Sequence, residues 1–268
     1  MKISTLMLST LAGLTLAGTA LGQAGTGATI SDANMFFTTS DSPTSATGNG
    51  AASADFRAGG AASTDHMFQH WWWYRLAGDN RESAFANAVS SQTIGSSIHT
   101  ISYTYATFTA YMEFEIISTG ADSGFLRSSL SITNTSAAPI SITLFNYTDL
   151  DVNGSFGGDS ALLTGPNTIR VNDGRSLTYS GIGASAWQVA AYSAVRDMLT
   201  NSSVDNFNST LLPFGPGDFT GGFQWSDVVI DPGFTRSVVA TVSIAAIPTP
   251  GAAALVGLAG LVGLRRRR

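Results

Sequence analysis

The apolar positions of this chain recur with a period of two. In "HTISYTY" Ile101, Tyr103 and Tyr105 share one face, and in "FTAYMEFEI" Phe108, Ala110, Met112, Phe114 and Ile116 do the same. Such alternation marks half-buried strands, because successive side chains leave a strand on opposite sides. The apolar parity changes from odd to even near Ala106, which predicts a turn or bulge between two strands. Further strand-like runs lie at 125–134, 140–149, 161–171, 185–192, 223–230 and 235–246. "ITNTSAAPISITLFNY" reads as a hairpin with Asn134 to Pro139 as its loop. Helical periodicity is confined to two short stretches, "DNRESAFANAVS" and "AAYSAVRDMLTN". Many short strands at this spacing predict an all-β fold, an antiparallel β-sandwich.

Both ends break this pattern. Residues 1–24 have one Lys after the initiator, an apolar run from Leu6 to Leu21 and small residues at Ala20, Gly22 and Ala24, the layout of a secretory signal helix removed on export. At the other end, Ala252 to Leu264 is a run of Ala, Val, Leu and Gly closed by Arg265, Arg266, Arg267 and Arg268. As a helix the run rises only ~20 Å against a bilayer core of about 30 Å. A cationic block after an apolar run marks the cytoplasmic flank, which leaves the preceding chain outside the inner membrane. Between these ends, 25–246 reads as one sandwich domain, with the low-complexity stretch 38–63 as a long surface loop.

The tail, with Pro248, Thr249, Pro250 and Gly251 before the short apolar helix and the arginine cluster, resembles the PEP-CTERM sorting signal of bacteria that carry an exosortase. Its motif departs from the family's Pro-Glu-Pro by lacking the Glu. The resemblance covers 247–268 and implies an exosortase-type partner that removes the tail. It implies delivery to the cell surface or extracellular matrix, often alongside exopolysaccharide, after transient anchoring in the inner membrane.

Composition fits an outside address. The 268-residue chain has no Cys, so disulfides and Cys-based metal or redox sites are excluded. Of 13 Lys and Arg, one is Lys2 and four are the terminal arginines; the 8 that remain face 18 acidic residues. Phosphate backbones are repelled by such a balance, so nucleic acid is excluded as a partner.

Four places invite a chemical reading. "HWWWYR" as a strand puts Trp71, Trp73 and Arg75 on one face and His70, Trp72 and Tyr74 on the other. One face belongs in the core. The face of Trp71, Trp73 and Arg75 is then a candidate carbohydrate platform, with Arg75 and Tyr74 as donors, unless both faces are covered. "DLDVNG" places Asp149, Asp151 and Asn153 at alternate positions before Gly154, as a calcium loop begins. Its twelfth position is Ser160 rather than a bidentate Glu, so an EF-hand is excluded; an ordinary polar turn is the simpler reading, and no cofactor other than calcium is expected. Glu113 and Glu115 share one face of one strand and so cannot flank a glycosidic bond as a catalytic pair. His66 and His70 would ligate zinc together on a helix, but their surroundings favour a strand.

Three function classes follow. The first is a non-enzymatic surface or matrix protein of structural type, and the second a carbohydrate-binding module for exopolysaccharide. The third is a carbohydrate-active enzyme on a sandwich. No nucleophile elbow, P-loop or dinucleotide fingerprint is present, and the reading favours a protein without catalytic residues.

Overall fold

A computed structural model of the protein describes residues 27–40, 52–86 and 89–246. The signal segment, the sorting residues Pro248 to Gly251 and Arg265 to Arg268, and part of the low-complexity stretch lie outside the described residues.

Strands β1 (Ala28–Asp32), β2 (Met35–Thr39) and β3 (Ala54–Ala58) form a small antiparallel sheet. β3 lies inside the stretch read as a surface loop, and it is there because Ala54, Phe56 and Ala58 alternate inward and are buried. The tryptophan run forms β4 (Gln69–Leu76), followed by the two-residue β5 (Ser83–Ala84). No helix forms over "DNRESAFANAVS" among the described residues; Ser83 and Ala84 pair with Tyr74 and Trp73 instead.

A meander follows: β6 (Val89–Ile94), β7 (Ile98–Thr104), β8 (Phe108–Gly120) and β9 (Ser123–Asn134). The parity change near Ala106 is the β7–β8 turn. β10 (Ile140–Leu150) runs into a single 3-10 turn at Val152–Gly154. Next come β11 (Asp159–Gly165), β12 (Thr168–Asp173), β13 (Arg175–Ile182) and β14 (Ala186–Ala191). Helix α1 (Ala194–Thr200), within "AAYSAVRDMLTN", precedes β15 (Phe214–Gly217), β16 (Phe219–Ile230) and β17 (Thr235–Ile244).

Nine strands make the larger sheet, in the order β15-β11-β12-β13-β17-β9-β8-β7-β6, and five the smaller, β14-β16-β10-β4-β5. All pairings are antiparallel, and the two sheets face each other as a sandwich. The expected β9–β10 hairpin does not form. β9 pairs with β8 and β17, whereas β10 pairs with β4 and β16, so the 135–139 connection crosses between sheets. Asn134 holds this corner: its buried side-chain amide donates to the Ala138 and Ile230 carbonyls at 2.8 Å each, while its carbonyl oxygen accepts from the Ser136 backbone at 2.9 Å.

Phe108, Ala110, Met112, Phe114 and Ile116 enter the core, as their alternation predicts. The opposite face of the large sheet is polar. Glu113 and Glu115 lie there beside Arg127 on β9, at 3.6 and 2.6 Å, which makes them ion-pair partners. Among the described residues no helix is long and apolar enough to cross a membrane.

Candidate functional site

The five-stranded sheet gathers several strand ends at one edge. β10 ends beside the start of β16, with Asp149 opposite Thr220 and Leu150 opposite Phe219. Asp151 and Asp218, the residues just beyond these two strand ends, therefore meet. β4 begins opposite Asp149 through Gln69, and the Phe68 backbone N–H donates to the Asp149 carbonyl at 3.0 Å. β14 ends opposite Phe219, and the Tyr192 N–H donates to the Asp218 carbonyl at 3.0 Å.

These ends enclose a half-open cavity of about 280 Å³ lined by Phe68, Asp149, Asp151, Phe156, Tyr192 and Asp218. One carboxylate oxygen from each aspartate lies within 4.8 Å of the others. The walls are aromatic and unusually open: Phe68 is 45% exposed, Tyr192 40% and Phe156 75%. Phe68 and Tyr192 meet edge to face at 6.1 Å, and the Arg196 guanidinium stands over the Tyr192 ring at 4.8 Å.

Asp149 forms the buried floor. Its Oδ2 accepts from the Tyr147 hydroxyl at 3.4 Å, while its Oδ1 has no hydrogen-bond partner. Burial, reinforced by the charges of Asp151 and Asp218, pushes its pKa up to about 8. Asp151 is raised by burial and by Asp218, and Asp218 by burial.

The other anticipated sites fare differently. Asn153 does not line the cavity: it takes a left-handed backbone conformation (φ 63°), its N–H donates to His66 Nδ1 at 2.9 Å, and its side chain lies against Gly174. Of the anticipated triplet Asp149, Asp151 and Asn153, the structure brings together only Asp149 and Asp151, and the third member of the acidic cluster is Asp218. His66 and His70 do not meet as ligands, since His70 sits on β4 with its ring against Phe37 and Phe114.

Trp71, Trp73 and Arg75 form no open platform. Trp71, Trp72 and Trp73 are all fully buried. Trp72 points into the sandwich, where its indole N–H donates to the Ser128 hydroxyl at 2.7 Å. The face carrying Trp73 and Arg75 is covered by the chain that follows α1. Phe207 packs on Phe145 at 5.4 Å, and its N–H donates to Gln224 at 2.6 Å. Arg75 donates to the Asp205 carbonyl and the Asn206 side chain at 2.7 and 2.8 Å, and pairs with the wholly buried Glu82. The aromatic surface is thus satisfied internally.

Asp218, Phe68, Phe156 and Tyr192 were not foreseen. Asp218 lies in "GPGDF", where Gly and Pro signal only a turn. Its partnership with Asp151 depends on the β10–β16 register.

A pH dependence follows from the buried acids. Asp159, also wholly buried, is pushed to about 8 by burial and by the charges of Asp173 and Asp151. An acid with a raised folded pKa keeps a proton that the unfolded chain has lost, so stability falls as pH rises from the unfolded towards the folded value. The buried histidines act with the opposite sign: burial holds His66, His70 and His99 down to about 4, 3 and 4, so they destabilise only as pH drops below about 6.5. The interval from about pH 6.5 to 8 belongs to Asp149 and Asp159. Without added divalent cation, the urea midpoint is expected to fall across it, and Asp159→Asn to flatten that fall; a rising midpoint would contradict the assignment.

No protein-family model and no curated protein matches the sequence. Among solved structures, the fold is similar to a bacterial glucoamylase complexed with acarbose, with 12% identity and a TM-score of 0.51 over 90% of this chain and 36% of that one. A polysaccharide lyase aligns at 11% identity and a TM-score of 0.48, over 80% of this chain and 33% of the lyase. The chain spans about a third of the length of these structures, and the glucoamylase likeness bears on the fold alone.

Proposed function

We propose that the protein is a non-catalytic carbohydrate-binding module of the bacterial surface or matrix, and that the Phe68–Phe156–Tyr192 pocket holds the glycan. The observation that carries this reading is the open aromatic rim over a floor of carboxylates. Sugar rings present apolar C–H faces to aromatic rings, and their hydroxyls donate to carboxylate oxygens. Ligand pockets combine apolar walls with a few convergent polar groups in this way. The likeness to a glucoamylase crystallised with acarbose agrees at the level of fold, which by itself assigns no site. The signal peptide and PEP-CTERM-like tail read from the sequence supply the address, with exopolysaccharide as the natural ligand and an exosortase-type enzyme as the processing partner.

Binding is favoured over hydrolysis by the spacing of the acids. Glycosidase carboxyls stand about 5–5.5 Å apart in retaining enzymes and about 6.5–9.5 Å in inverting ones, on opposite sides of the scissile bond. Here one oxygen of each of the three aspartates lies within 4.8 Å of the others, on one side of the pocket floor, with no acid placed across from them among its lining residues. An organic ammonium is the rival ligand for aromatic rings and acids. Arg196 already stands over the Tyr192 ring and weakens that case.

The test is a glycan-array screen followed by titration of the best ligand. Phe156→Ala is expected to weaken binding about tenfold, or ~1.4 kcal/mol, while leaving stability within roughly 0.5 kcal/mol, since the ring is 75% exposed. Binding that is unaffected by both Phe156→Ala and Tyr192→Ala would move the site elsewhere. Reducing ends released from a bound oligosaccharide would restore the enzyme reading.

A further inference from the structure

We infer that the pocket floor is a calcium site, with Asp149, Asp151 and Asp218 as its protein ligands. These are the carboxylates that floor the proposed glycan pocket, but the ion needs none of the aromatic contacts, and the inference stands without the glycan.

Two independent observations meet here. The first is the carboxylate cluster, drawn from two separated parts of the chain by the β10–β16 register. The second is the state of Asp149. This side chain is 1% exposed and lines the cavity, yet its Oδ1 has no hydrogen-bond partner. A buried carboxylate oxygen left unsatisfied is costly unless another group completes it. The Tyr147 hydroxyl attends Oδ2 and leaves Oδ1 for that group.

Protein cations do not fill the role. Neither Asp149, Asp151 nor Asp218 takes part in any ion pair among the described residues. Arg196, the nearby guanidinium, is held by the Tyr192 hydroxyl and the Asp197 carboxylate, and its charge offsets only a minor part of the burial and repulsion at Asp149. Like charges this close repel strongly in a partly desolvated site, and a divalent cation replaces that repulsion with attraction.

The donor set suits a hard cation, since every protein ligand is a carboxylate oxygen. Two oxygens bound to one cation stand no farther apart than twice the metal–oxygen length, about 4.6–5.2 Å for Ca²⁺ and about 4.0–4.2 Å for Mg²⁺. Oxygens that all lie within 4.8 Å of one another need at most a small inward adjustment to reach calcium, whose coordination is the more flexible of the two. The open cavity leaves room for the waters that complete a coordination number of about 6–8. Three carboxylates, one buried and two half-buried, at the floor of an open pocket suit the weak affinities of extracellular modules, about 10⁻⁴–10⁻³ M.

The experiment titrates CaCl₂ into the chelator-treated protein without any glycan, by calorimetry and by thermal melting. One equivalent of Ca²⁺ is expected to bind and to raise the melting temperature, with MgCl₂ binding at least about tenfold more weakly. Asp218→Asn is expected to weaken calcium binding about tenfold or more. In excess chelator the same variant is expected to melt at or above the unsubstituted protein, because one repelling charge is gone; a ligand mutation and a folding defect are thereby told apart. Absence of calcium binding, tighter magnesium binding, or wild-type affinity in Asp218→Asn would each overturn the site. None of these outcomes bears on whether the aromatic rim binds sugar, which is measured separately.

Discussion

Trp72→Ala is expected to destabilise the protein by about 3–5 kcal/mol, most of an ordinary domain's stability of about 5–15 kcal/mol. The indole is fully buried between the sheets, with the Trp225 ring at 5.5 Å. Its removal opens a cavity and deprives the buried Ser128 hydroxyl of its donor. Trp71→Ala and Trp73→Ala belong to the same class. Trp71 donates to the Phe85 carbonyl at 3.0 Å and packs on Phe114, while Trp73 packs edge to face on Tyr147 at 5.8 Å. Urea denaturation of the three variants checks this. A Trp71 or Trp73 variant within roughly 0.5 kcal/mol of the parent would mean that the face is open after all.

Arg75→Ala is expected to cost about 3–5 kcal/mol, a large effect for a partly exposed residue. Breaking a buried ion pair from one side leaves an uncompensated charge, here on the wholly buried Glu82. The same substitution frees the segment at Asp205 and Asn206 that roofs the five-stranded sheet, and removes the guanidinium from over Phe145 at 5.6 Å. Pairing Arg75→Ala with Glu82→Gln is expected to recover part of the loss, because the second change removes the stranded charge. Denaturation of both variants at one pH decides the matter. An additive loss would show that Arg75 acts through the roof alone, and an unchanged stability in the single variant would remove Arg75 from the framework.

What the alternation of apolar residues could reveal was the strands and their buried faces. Phe108 to Ile116 fall on the core side as their parity predicts, and residues 125–134 and 140–149 lie within β9 and β10. Periodicity is a local signal, however, and does not say which strand pairs with which. Asn134 to Pro139 has the composition of a hairpin loop, yet it turns the chain from one sheet to the other. The 161–171 run splits into two strands, β11 and β12, at the Gly165 to Asn167 turn.

The site shows the same division. Asp149 and Asp151 were legible because they lie two residues apart in an oxygen-rich turn. Asp218 was not, because it is brought to them by strand register alone. Arg75 pointed outward on a strand, as read, but the chain supplies its own cover through Asp205, Asn206 and Phe207. A strand's parity distinguishes its two faces without saying what lies on either.

The central claim is that ligand recognition resides at the strand-end pocket rather than on the tryptophan strand. NMR of the purified protein, with labelled backbone and aromatic side chains, tests it by following shifts as an oligosaccharide is added. The predicted result is saturable perturbation at Phe68, Asp149, Asp151, Phe156, Tyr192 and Asp218, with Trp71 to Trp73 unmoved. Perturbation centred on residues 71–75 and their 205–207 cover, with the pocket silent, would contradict it.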